Sequence, residues 1–77
     1  MIKKTLYDLP CGENAIIKTL CNPKDMRRRL FDLGFVPESR VFCAFASPLG
    51  DPKAFVIKGT VIALREEDSS LILVEEP

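Results

Sequence analysis

The chain has 77 residues, 11 lysines and arginines against 11 aspartates and glutamates, no histidine, and hydrophobic side chains at 47% of its positions. Such a length allows one small domain, over residues 1–77, which buries a little over ~60% of its unfolded surface and leaves no room for a deep catalytic cleft. Zero net charge provides no long-range field for a polyanion, and the lack of histidine removes the commonest general base and metal ligand, so nucleic-acid binding and enzyme catalysis are both disfavoured.

The first residues, MIKKTLYDLPCGE, carry two lysines without an apolar core behind them, and no apolar run approaches the ~20 residues of a membrane span. A mature, cytoplasmic chain with no direct membrane insertion is expected. After the Pro10, Cys11, Gly12 break, NAIIKTL at 14–20 reads as the first strand. A helix follows over 23–33, with Asn22 as N-cap, Pro23 in the first helical position, Asp25 in the first turn and Gly34 just past the end. At ~100° per residue, Met26, Leu30 and Leu33 form the buried stripe, and Phe35 falls where a Schellman ending returns an apolar side chain to the last turn.

Three consecutive arginines, Arg27, Arg28 and Arg29, lie on this helix. Consecutive residues fan around the axis and cannot track one phosphate backbone. Asp25 and Asp32 stand three or four residues from Arg28 and Arg29, a spacing that predicts local ion pairs on a solvated surface. Phe31 is roughly 140° from Met26 and off the stripe, so either a neighbouring loop or the N-terminal segment around Tyr7 covers it, or a partner does.

Strands are expected next at 39–47, 53–57, 60–65 and 71–75, with Val41, Cys43 and Phe45 sharing one face of the second. Lys58 and Gly59 have the two-residue spacing of a tight hairpin, and 66–70 is a polar single turn. Between the second and third strands lies ASPLGDP, a loop stiffened by Pro48 and Pro52 and reversed at Gly50. It is either a wide turn that shapes the sheet or a preorganised contact. Apolar residues on both faces of several strands suit a small barrel with a covered outside. The fold class expected is mainly β, a small five-stranded partly open barrel with one α-helix inserted after the first strand.

Chemistry is sparse. No phosphate-cradling glycine motif is present, the serines have no base beside them, and the acidic runs at 66–68 and 75–76 suit solvated turns and ends. Cys11, Cys21 and Cys43 contain no C-x-x-C pair, and Cys11 and Cys21 bracket a strand ~20 Å long, so no metal site and no cofactor are expected.

Arg29, Leu30, Asp32, Leu33 and Gly34 followed by Pro37, then Pro48 to Pro52, then Ile62 to Arg65, and last Asp68 with Ile72 and Val74, resemble the small FeoA proteins of bacterial ferrous iron uptake. The likeness runs from Leu6 to the end of the chain, with four motifs in the family's order and spacing. It implies an SH3-like barrel with a helical insertion and a cytosolic accessory role toward FeoB, the membrane permease with its own GTP-binding domain. Two positions depart from the family. Pro37 and Glu38 stand where Pro-Gly is usual, so the turn is expected to avoid positive φ at Glu38, and Ser69 replaces a common alanine.

The function expected is therefore a non-enzymatic accessory protein that binds and regulates or assembles the FeoB permease from its cytosolic side. The expected partner-binding residues are Arg28 and Phe31 on the helix and Leu49, Gly50, Asp51 and Pro52 on the loop. An alternative is a free-standing regulatory module related to the C-terminal domain of iron-dependent repressors. A proline-peptide SH3 module lacks aromatics, with one Tyr and no Trp. Leftover strand edges and an uncovered Phe31 leave room for weak homo-oligomers.

Overall fold

The computed structural model describes residues 4–77. Six antiparallel strands form one sheet in the order β1-β6-β2-β3-β4-β5. They are β1 (Lys4–Thr5), β2 (Asn14–Leu20), β3 (Arg40–Ala46), β4 (Lys53–Ile57), β5 (Thr60–Leu64) and β6 (Ile72–Glu75). Helix α1 (Lys24–Leu33) joins β2 to β3, and a single turn, α2 (Glu66–Ser69), joins β5 to β6. The sheet curves around its core but does not close. Its additional strand is β1, too short for any periodicity to reveal, which pairs Lys4 with Val74 and Thr5 with Leu73.

The core is built from alternate positions. Ala15 and Ile17 of β2, Val41 and Cys43 of β3, Phe55 and Ile57 of β4, Leu64 of β5 and Ile72 and Val74 of β6 are buried together. Leu6, in a 3-10 turn at Leu6–Asp8, and Leu9, which caps that turn, join them, so the segment before β2 completes the core. Each large side chain buried this way contributes about 1.5–3 kcal/mol against conformational entropy.

Two irregularities interrupt the alternation. The β2–β6 register shifts between Ile17 and Thr19, which returns Leu20 to the inside, and the β3–β4 register shifts between Cys43 and Phe45. One extra residue in a strand reverses the facing of everything after it. Phe45 therefore points outward, 61% exposed, and does not share the face of Val41 and Cys43 as simple alternation predicts.

Helix α1 presents Leu30 fully buried and Met26 partly buried to the core. Leu33, expected in the same stripe, is 40% exposed because the chain leaves the helix at Gly34 and seats Phe35 in the core instead. The ending is a Schellman motif. Phe35 N–H donates to the Leu30 carbonyl at 2.9 Å and Gly34 N–H to the Phe31 carbonyl at 3.0 Å, with Gly34 at φ 107°.

The helix start differs from expectation. Pro23 occupies the N-cap, and Asn22 makes no cap: its Nδ2 donates to the Asp68 carbonyl at 2.9 Å, tying α1 to α2. The Lys58, Gly59 hairpin forms as expected, with Ile57 opposite Thr60 and both turn residues at positive φ.

The turn before β3 overturns its expectation, since Glu38 sits at φ 73°. Tertiary bonds hold it there. Glu38 N–H donates to the Ile17 carbonyl at 2.7 Å, Ile17 N–H donates to Ser39, and Lys18 Nζ meets both carboxylate oxygens of Glu38, at 2.9 and 3.2 Å. Ser69, the other departure from the family pattern, is buried and satisfied by donating to the Arg65 carbonyl at 3.1 Å.

Candidate functional site

The loop between β3 and β4 is tied to itself and to α2. Ser47 N–H donates to the Pro52 carbonyl, Gly50 N–H to the Ser47 carbonyl, and Ser47 Oγ to the Asp51 carbonyl at 2.7 Å. Gly50 reverses the chain at φ 86°, and the Asp51 to Pro52 peptide is cis. Asp51 Oδ1 accepts the Glu66 N–H at 2.8 Å, satisfying a donor at the start of α2 that Arg65, the N-cap residue, leaves without a side-chain partner. Leu49 at the tip is 93% exposed.

Beneath this loop lies a polar junction. Lys53 belongs by alternation to the inward side of β4 with Phe55 and Ile57, where it is partly buried, and an ammonium drawn from water needs partners. Its Nζ donates to the carbonyls of Tyr7 at 2.7 Å and Leu9 at 2.9 Å and lies 5.2 Å from the Tyr7 ring centroid. One side chain thus ties the N-terminal segment to β4. The Tyr7 hydroxyl is held above its ordinary range chiefly by the charge of Glu66, then by burial and by Asp51 and Asp8.

Arg28 and Phe31 form a separate surface. All three arginines are exposed, and the expected pairs with Asp25 and Asp32 are not formed; among the described residues the ion pair present is Lys18 with Glu38. Solvated arginines gain little from closing such pairs. Phe31 is 42% exposed, and Tyr7, from one of the segments that could have covered it, is engaged with Lys53. Gly34, at the end of the helix, lies against the Lys58 side chain, whereas the 47–52 loop leads into β4 at Lys53. The helix end and the loop therefore flank opposite ends of β4.

A third surface was not legible in the pattern of the chain. Phe42, Val56 and Val61 are successive cross-strand partners on the outer face, as are Phe45, Ala54 and Ala63. Val61 is 60% exposed and Phe45 61%, so the outside of the sheet is uncovered there. The β3 bulge creates half of this surface, and no periodicity announces a bulge. Lys53 had a usable signal: a lysine at the parity of two core residues.

Among the described residues no group of three Cys, Asp or Glu side chains converges as a metal site. No described helix is long and apolar enough to cross a membrane.

A family profile for the FeoA domain matches residues 4–76. A fusion of Fe(2+) transport protein A with the Fe(2+) transporter FeoB in Porphyromonas gingivalis is 31% identical over 70 residues, which are 91% of this chain and 8% of that protein. The chain thus spans under a tenth of the length of this relative. The solution structure of iron(II) transport protein A from Clostridium thermocellum matches with a TM-score of 0.88 and 35% identity, over 94% of this chain and 44% of that one. The zinc complex of Stenotrophomonas maltophilia FeoA, described as a prokaryotic SH3-domain protein, matches with a TM-score of 0.81 and 29% identity, over 92% and 88% of the two chains. A manganese-dependent transcriptional repressor with bound manganese shares the fold at a TM-score of 0.89, with 15% identity over 100% of this chain and 38% of its own.

Proposed function

Since the chain belongs to the FeoA family, with its SH3-like fold and its place in ferrous iron transport, we propose that it acts as an accessory subunit that docks on the cytosolic side of the FeoB permease and biases its assembly or its GTPase cycle. The observation that carries this reading is the relative in which an A-type domain and FeoB are one polypeptide. Fusion keeps two modules at high effective concentration, an arrangement of use to modules that act together. The repressor likeness rests on fold alone and carries no function across.

The docking contacts proposed are Arg28 and Phe31 of α1 and the loop residues Leu49, Gly50, Asp51 and Pro52. An exposed aromatic beside arginines is a common interface anchor, and a loop held by its own hydrogen bonds loses little freedom on binding. Because Asp51 is engaged at α2, the loop would present mainly Leu49. Any effect on FeoB requires different affinities for two of its states.

The test is an NMR titration of the labelled protein with the soluble cytosolic part of FeoB from the same genome, with and without a GTP analogue. Shifts at Arg28, Phe31 and residues 49–52 are expected, and Phe31→Glu, folded as judged by its spectrum, should weaken binding by about tenfold or more. Unchanged affinity in Phe31→Glu would remove the helix surface. Absence of shifts in every nucleotide state, and of binding to full-length FeoB, would overturn the accessory reading.

A further inference from the structure

Two of the three cysteines meet. Cys43 is fully buried on β3, whereas Cys11 stands exposed in the turn leading into β2. The Cys43 thiol donates to Cys11 Sγ at 3.5 Å. Backbone bonds build the approach: Gly12 N–H donates to the Cys43 carbonyl at 2.7 Å, and Cys43 N–H donates to the Glu13 carbonyl at 3.0 Å. Two residues oppose one in the manner of a glycine bulge, with Gly12 at φ 92°.

The pair has no third donor among the described residues, so it falls short of the three or four ligands of a zinc site. A disulfide needs the sulfurs about 1.5 Å closer, since S–S is ~2.05 Å, a displacement that side-chain rotation at the exposed Cys11 can supply.

We propose that Cys11 and Cys43 are a redox-reactive dithiol that closes to an intramolecular disulfide by exchange with a low-molecular-weight disulfide such as glutathione disulfide, fastening segment 6–13 to β3. The exposed Cys11 sulfur, as thiolate, attacks one sulfur of glutathione disulfide; the glutathione S–S bond breaks and one glutathione thiolate leaves. Cys43 then gives up its proton and attacks the Cys11 sulfur of the mixed disulfide, expelling the second glutathione. Two protein thiols are oxidised and one glutathione disulfide is reduced to two glutathione thiols, with no net change in protons at neutral pH.

The environment orders these steps. Burial, then the hydrogen bond and charge of Cys11, push the Cys43 thiol up to about 11, while Lys53 opposes the shift. A thiol kept protonated is a poor first nucleophile, so reaction begins at Cys11 and closure quickens as pH rises. The clamp would lock the segment that carries Leu6 and Leu9 into the core and supplies the carbonyls of Tyr7 and Leu9 to Lys53.

The experiment uses the full chain carrying Cys21→Ser, which removes the exposed third thiol. After glutathione disulfide, the intact mass should fall by about 2 Da with no retained glutathione, no free thiols and a monomeric protein. Tm should rise by roughly 10–20 °C, reversed by dithiothreitol, because the bond closes a loop of about 30 residues. Adding Cys11→Ser, a change at an exposed position, should leave Cys43 unmodified. Adding Cys43→Ala should leave one stable glutathione on Cys11. A persistent glutathione adduct in the Cys21→Ser protein, a dimer through Cys11, or two free thiols at about a hundredfold excess of glutathione disulfide would each overturn the proposal.

Discussion

At the scale of single residues, Glu38 shows local preference losing to tertiary geometry. A left-handed φ costs a side chain with a Cβ roughly 1–2 kcal/mol, and glutamate has no short polar group to relieve it. The conformation persists because β2 supplies the carbonyl of Ile17 and, at its bulge, the ammonium of Lys18. Glu38→Gly relieves the strain and loses an exposed ion pair of little worth. The variant should be more stable by about 0.5–1 kcal/mol, once the greater chain entropy of glycine is deducted, checked by urea denaturation. Asn22 teaches the same lesson from the other side. Its sequence position suits an N-cap, but a carbonyl on α2 takes its amide.

At the scale of elements, the two helices are held by different means. Local signals suffice for the end of α1: Gly34 and Phe35 close a Schellman motif between neighbours in the chain. The four-residue α2 is too short to be stable by itself, and it depends on Asp51, fifteen residues away, for a bond to its first N–H. Asp51→Ala should cost about 1 kcal/mol and lower Tm by several degrees, whereas Asp51→Asn, which keeps an accepting oxygen, should recover most of the loss. If both variants melt like the parent, Asp51 does not support α2. The β3 bulge belongs to this scale too, since it decides that Phe45 faces solvent.

At the scale of the whole molecule, an open sheet leaves two edges, and the outer rows containing Phe45 and Val61 adjoin the β5 edge. A short edge strand with exposed apolar side chains is a site for pairing with another chain. We expect weak self-association at high protein concentration, suppressed by Val61→Lys with a stability change within about 0.5 kcal/mol. Sedimentation velocity across a concentration series checks this. If the variant associates as the parent does, the edge is not the contact.

Read from the chain alone, the mainly β architecture, the position of α1, its glycine ending, the Lys58, Gly59 hairpin and the likeness to FeoA were all accessible. Their determinants are local: strand-forming runs, helical periodicity, and turn residues whose φ follows from the residue itself. The exposure of the helix arginines also agreed with the reading, whereas the sequence left the cover of Phe31 open and the contribution of both to docking is a matter for the titration. Tertiary structure alone decided the sixth strand, the outward turn of Phe45, the left-handed Glu38, the seat of Lys53 on the carbonyls of Tyr7 and Leu9, and the meeting of Cys11 with Cys43. The reason is common to all of them. Each depends on a partner distant in sequence or on a one-residue register shift, and neither composition nor periodicity encodes which backbone atoms the folded chain will bring within 3 Å of one another.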